Sequence, residues 1–252
     1  MVENPTDSPD RPTYGSSCDT APRMNPIYVA LDTPDLEYAL SLAERASPHV
    51  GGLKLGMEFL AANGPDGIRH FEKFGLPIFA DTKFHDIPNT VAGAVRATAA
   101  LGVHIVNVHA AGGEAMLRCA LDAARAVSPK TKVIAVTVLT SLSDDDLTAV
   151  GQLPPAREQV LRLAMLAHDC GLDGVVCSAH EIAPLRAALG QDFLLVVPGI
   201  RPEGSETQDQ RRVMGPKQAL AAGASILVIG RPITAAVDPG AAARAIAESL
   251  GI

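Results

Sequence analysis

Eight short apolar runs rich in β-branched residues recur along the chain from Asn25 onward, and helical patterns alternate with them. The runs are Ile27–Leu31, Gly52–Leu55, Ile78–Ala80, His104–Val108, Val133–Leu139, Gly174–Cys177, Leu194–Val197 and Ile226–Ile229. The helical stretches include Leu36–Arg45, Val91–Ala100, Ala115–Val127, Arg157–Cys170, Ile182–Leu189 and Ala241–Leu250. Strands that are apolar throughout, rather than alternating, are expected where parallel strands are covered on both faces. Eight switches from strand to helix, with no run of consecutive strands or helices, predict an α/β chain folded as a single-domain (β/α)8 TIM barrel. A doubly wound sheet is the alternative. The segment after the first run, Leu31-Asp32-Thr33-Pro34-Asp35, lacks the Gly-rich dinucleotide fingerprint that such a sheet would carry there.

The chain of 252 residues, 47% hydrophobic, suits one barrel with a large core, assigned here to residues 24–252. Residues 1–23 are rich in Pro, Asp, Ser and Thr, show no periodicity and lack the apolar segment of a signal peptide. They are expected to form a disordered leader without catalytic role. The formal charge of −7, without a basic tail or stripe, argues against a nucleic-acid polymer or an acidic membrane surface as partner. No stretch is long and apolar enough to span a bilayer, and the longest uncharged run, Ala97–Gly113, contains His104, Asn107 and His109. Cys18, Cys119, Cys170 and Cys177 form no C-x-x-C pair. They read as incidental thiols in a reducing compartment, the cytoplasm.

Polar residues follow the strand ends: Asp32, Lys54, Asp81 with Lys83, Asn107 with His109, Thr140, Ser178, Arg201 and Arg231. In a barrel the C-terminal strand ends hold the chemistry. The densest cluster is Asp81 to Thr90. Asp81 and Lys83 are two residues apart and point to the same side, roughly 7 Å apart along a strand. Lys54 ends the neighbouring strand and reaches the same place. A Lys-Asp-Lys cluster is costly to bury unless its charges pair, and such clusters mark functional sites or structural ion pairs. Asp86 precedes a helix that has Pro88 in its first turn, so an N-cap role is open to it.

A long loop, 198–212, follows strand seven and suggests a lid or binding loop. Strand eight ends at Gly230-Arg231-Pro232, where a short helix can begin. Glycine amides, a helix start and the arginines Arg201 and Arg231 suit a phosphate, and barrels often bind phosphate after strands seven and eight. No set of His and carboxylate residues has metal-ligand spacing, so no metal is expected.

The run DTKFHDIPNT, Asp81–Thr90, closely resembles the signature of orotidine 5'-phosphate decarboxylases. So do ALD at Ala30–Asp32, KLG at Lys54–Gly56, VTVLTS at Val136–Ser141, PGIRP at Pro198–Pro202, DQRR at Asp209–Arg212 and VIGRP at Val228–Pro232. The resemblance implies decarboxylation of orotidine 5'-monophosphate to uridine 5'-monophosphate, in de novo pyrimidine biosynthesis, without metal or cofactor. Lys83 then resembles the proton donor to the product carbon, and Asp81 the carboxylate set against the leaving carboxylate. Lys54 and Asp86 resemble the outer members of a Lys-Asp-Lys-Asp array, with Asp86 reaching in from the partner of a homodimer. Asp32 and Thr90 resemble ribose-side contacts, Thr90 also completing the partner's site, and Thr140 a contact to the pyrimidine. Arg201, Gln210, Gly230 and Arg231 resemble the phosphate and lid group. Two rivals stand beside this reading. One is a magnesium-dependent sugar-phosphate decarboxylase or aldolase on the same barrel. The other is a non-catalytic phosphate-binding barrel.

Overall fold

The computed structural model describes residues 25–202 and 214–252. Among the described residues, eight parallel strands close into a barrel in chain order, each pairing with its sequence neighbours and the last with the first. The strands are β1 (Ile27–Ala30), β2 (Gly52–Leu55), β3 (Ile78–Phe84), β4 (Ile105–His109), β5 (Lys132–Val136), β6 (Gly174–Val176), β7 (Leu194–Pro198) and β8 (Ile226–Ile229). The helices are α1 (Leu36–Ala46), α2 (Met57–Arg69), α3 (Pro88–Ala99), α4 (Gly113–Val127), α5 (Asp144–Ala149), α6 (Ala156–Asp169), α7 (Ile182–Leu189), α8 (Pro216–Ala222), α9 (Arg231–Thr234) and α10 (Pro239–Ser249). The expected leader, residues 1–23, lies outside the described residues.

The strands bury both faces, and alternate side chains separate into two cores. Ile27, Val29, Val106, Val108, Leu227 and Ile229 belong to the large cluster beneath the helices. Their strand neighbours Tyr28, Ala30, Ile105, Ile226 and Val228 join Phe79, Ile134 and Val196 in a second cluster that fills the barrel interior. The period of two that defines a strand produces this division. Gly52 is one position where the interior requires glycine: a Cβ there would lie 2.4 Å from the Tyr28 ring. Above the apolar plug the same interior positions turn polar. Lys54 lies between the outward Leu53 and Leu55, Asp81 follows Phe79 by two, and Asn107 follows Ile105 by two. Strand periodicity therefore aims all three side chains into the mouth.

Candidate active site

A cavity of about 470 Å³ opens at the C-terminal ends of the strands. Its lining includes Asp32, Lys54, Asp81, Lys83, Thr140, Arg201, Gly230 and Arg231, so residues from six strand ends or the loops after them converge on one cavity. The volume suits a nucleotide-sized ligand.

At its floor four charged side chains, Asp32, Lys54, Asp81 and Lys83, form a continuous chain. Lys54 Nζ lies 2.8 Å from Asp32 Oδ1 and 3.2 Å from Asp81 Oδ2, and Lys83 Nζ lies 2.5 Å from Asp81 Oδ1. Lys54 and Asp81 are buried, whereas the Asp32 side chain is 51% exposed. Burial pushes the Asp81 carboxyl up, but Lys54 and Lys83, with hydrogen bonds from Lys83 and Asn107, outweigh it and hold the group below the usual carboxylate range. For Lys54, burial pulls the ammonium down while Asp81 and Asp32 raise it further, leaving it above the ordinary lysine value. Both groups are therefore charged at neutral pH.

Lys83 has a φ of 51°, the one non-glycine residue with positive φ among those described. The β3–β4 register shifts between Ala80 and Phe84, around this residue. A left-handed backbone at such a residue costs about 1–3 kcal/mol and clusters at functional sites. Gly56 gives the array its room. A Cβ at that position would lie 2.1 Å from Asp32 Oδ1 and 2.9 Å from Lys54 Nζ, so any side chain would displace the pair.

His109 ends β4 beside this cluster and stacks on His85, with ring centroids 5.4 Å apart. Burial, then His85 and Lys83, hold its imidazolium below the ordinary histidine range, against an opposing pull from Asp81. Cys177 also lines the cavity, and burial pushes its thiol up. Among the described residues, no three His, Cys, Asp or Glu side chains come together as a metal-ligand group.

On the phosphate side, Gly230 is the N-cap of α9 and Arg231 its first residue, and the predicted short helix is present. Arg201 is buried, and its backbone N–H donates to the carbonyl of Met214 at 3.1 Å. An isolated bridge joins Ile200 to Met214. Gln210, with the rest of 203–213, lies outside the described residues.

Two expected site residues do not join the array within the chain. Asp86 and Thr90 are exposed, and neither lines the cavity. The N-cap alternative for Asp86 is corrected: the cap position of α3 is Ile87, without a side-chain cap bond. Among the described residues the Asp86 carboxylate accepts from the adjacent Ile87 N–H, at 2.6 Å, because it stands one residue too early for the cap. Asn107 and Gly56 were absent from the predicted site set. Both lay in view, Asn107 at a strand end and Gly56 inside KLG, but an uncharged amide and a missing side chain carry no charge pattern to single them out.

Residues 25–246 match the sequence profile of the Orotidine 5'-phosphate decarboxylase / HUMPS family. The chain belongs to this family. Its relatives include the Orotidine 5'-phosphate decarboxylase of Rhodospirillum rubrum, 55% identical over 234 residues, covering 90% of this chain and 94% of the relative. That of Moorella thermoacetica is 55% identical over 230 residues, covering 89% and 91%. Among solved structures, Orotidine 5'-phosphate decarboxylase from Lactobacillus acidophilus superposes with a TM-score of 0.80 at 41% identity, over 90% of this chain and 100% of that one. An uncharacterized conserved protein from Geobacillus kaustophilus gives 0.78 at 34%, over 89% and 100%. Both solved structures thus resemble this chain's barrel over about nine-tenths of the chain.

Proposed function

We infer that this chain decarboxylates orotidine 5'-monophosphate to uridine 5'-monophosphate, a carboxy-lyase step of pyrimidine biosynthesis. The observation that carries the reading is the Lys54–Asp81–Lys83 array, with Lys54 and Asp81 buried, at the floor of a nucleotide-sized cavity, in a chain of this family. A structural ion pair would not need a strained lysine at its end, and a phosphate-binding scaffold would not need the array at all.

In this reading the bond between C6 of the pyrimidine and its carboxylate carbon breaks, and the electron pair stays on C6. Carbon dioxide leaves, and the Lys83 ammonium gives its proton to C6. Lys83 then regains a proton from water, since its side chain is 24% exposed. The carbanion lies in the ring plane, out of reach of the π system, so preorganised positive charge must stabilise it. Lys83 supplies that charge, and Lys54 fixes Asp81 from its other side. Asp81, held ionised, faces the leaving carboxylate. The largest enzymatic accelerations require about 20 kcal/mol, much of it drawn from binding remote from the reacting atom. Arg201, Gly230 and Arg231, with Gln210, are the phosphate group in this account; Asp32 holds the ribose and Thr140 meets the pyrimidine.

The exposure of Asp86 and Thr90 supports a homodimer in which each chain lends them to its partner's site. The cytoplasm is the compartment in this reading. Among the described residues no helix is long and apolar enough to cross a membrane, and Cys119, Cys170 and Cys177 are free thiols. In this reading the catalytic domain is residues 24–252, and residues 1–23, which lie outside the described residues, take no part in catalysis.

The test is turnover of orotidine 5'-monophosphate, followed by loss of ultraviolet absorbance, with and without EDTA. Equal rates in both are expected. Activity abolished by EDTA would favour the magnesium-dependent rival, and no turnover in either would favour the binding scaffold.

A further inference from the structure

Asn107 occupies the interior position of β4 above Ile105 and is fully buried. Its side-chain amide is divided between the two residues at the centre of the site. Nδ2 donates to Asp81 Oδ1 at 2.7 Å, while Oδ1 accepts from the backbone N–H of Lys83, also at 2.7 Å. The Asn107 carbonyl in turn accepts from the Thr82 hydroxyl at 2.9 Å. These contacts fall where the β3–β4 register shifts and where Lys83 takes its positive φ. A register shift interrupts the backbone ladder, so a side chain has to meet the groups the ladder leaves. A left-handed conformation at a lysine persists only where its surroundings over-determine it.

We propose that Asn107 is a positioning residue for the decarboxylation, its one amide setting the Lys83 backbone and the Asp81 carboxylate in a fixed relation before substrate arrives. The proposal rests on Lys83 being the proton donor. The task demands a donor and an acceptor on one planar group. A leucine offers neither. An ionised aspartate accepts from Lys83 N–H but cannot donate to Asp81, and it sets a second carboxylate against the first. A protonated aspartic acid restores both, because its hydroxyl donates and its carbonyl accepts.

That last property gives a readout that simple packing would not move. Asn107→Ala and Asn107→Asp are compared with wild type and with Lys83→Ala across pH 5.5 to 8.5, alongside affinity for uridine 5'-monophosphate and thermal melting. Asn107→Ala is expected to lose kcat by at least about thirtyfold while product affinity changes by less than about threefold. Asn107→Asp is expected to be as slow at pH 8.5, and its kcat relative to wild type should climb at least about tenfold as pH falls to 5.5. A constant ratio across pH, or more than a third of wild-type kcat in Asn107→Ala, overturns the proposal. Should Asn107→Ala not fold, the pH ratio of Asn107→Asp decides alone. Failure of the underlying reading looks different: wild type would not turn over, or Lys83→Ala would stay active.

Discussion

Asp81 receives Lys54, Lys83 and Asn107 at once, and the consequences are read at single residues. Its carboxyl is held below the usual range, so the stability it contributes is fully present above about pH 4, the unfolded aspartate value, and is lost as pH falls through the lower folded value. Asp81→Asn removes that dependence. The stability gap between wild type and Asp81→Asn, measured by denaturant unfolding, should be widest above about pH 5 and shrink towards pH 3. A gap independent of pH would mean that folding does not lower the Asp81 carboxyl below its unfolded value. At the other end of the cavity, Arg231 is argued to hold phosphate. Arg231→Ala should lower kcat/KM for orotidine 5'-monophosphate by about a hundredfold, roughly 3 kcal/mol for a charge-assisted contact, and barely change it for the nucleoside orotidine. Equal losses on the two substrates would contradict the phosphate role. Charged residues in DTKFHDIPNT and VIGRP were legible in the sequence because charge at a barrel strand end is conspicuous. The work of Asn107 was not, since its importance lies in which two groups its amide bridges across β3 and β4, a pairing that only the register fixes.

Elements were legible in proportion to their length and the regularity of their pattern. All eight strands were recognised, with ends displaced by a few residues. The largest differences are at β3, which runs on to Phe84 through the irregular turn at Lys83, and at β5, which stops at Val136 rather than Leu139. Three helices escaped. α2 carries Gly64 and Pro65 inside it, and at Gly64 the backbone leaves the helix with φ 63° and ψ −170°. α5 and α8 have six and seven residues, under two turns, too short for a period of 3.6 to declare itself. The far end of the barrel, opposite the site, depends on a contact between elements that no pattern announces. Arg186 of α7 donates to the carbonyls of Gly190, Gln191, Phe193 and Gly223 and to Ser225 Oγ, joining α7 to the segments that open β7 and β8. Arg186→Met keeps the aliphatic stem but leaves these acceptors short of donors. It should lower unfolding stability by about 3 kcal/mol, with kcat unchanged at temperatures where the protein is folded. A loss under about 1 kcal/mol would show that water replaces the guanidinium there.

For the whole molecule, the barrel brings Lys54, Asp81, Lys83, Arg201 and Arg231 around one cavity, yet leaves Asp86 and Thr90 on the outside. The single chain therefore assembles most of the proposed site, and a second copy is the proposed source of the rest. Mixing Lys83→Ala and Asp86→Ala proteins under subunit exchange tests this. Each heterodimer would hold one site with both lesions and one with neither, so activity should rise towards about a quarter of wild type under random pairing. Activity that stays at the parental level, with exchange confirmed by mass spectrometry, would place Asp86 outside the partner's site. The central claim is that Lys83 delivers the proton that replaces carbon dioxide at C6. Its most direct measurement is the reaction of orotidine 5'-monophosphate run in deuterium oxide, with the product examined by nuclear magnetic resonance, for wild type and Lys83→Ala side by side. Wild type should yield uridine 5'-monophosphate carrying deuterium at C6, while Lys83→Ala still binds product but forms none above about a thousandth of the wild-type rate, roughly 4 kcal/mol of barrier. Deuterated product from Lys83→Ala at more than a tenth of the wild-type rate would contradict the account.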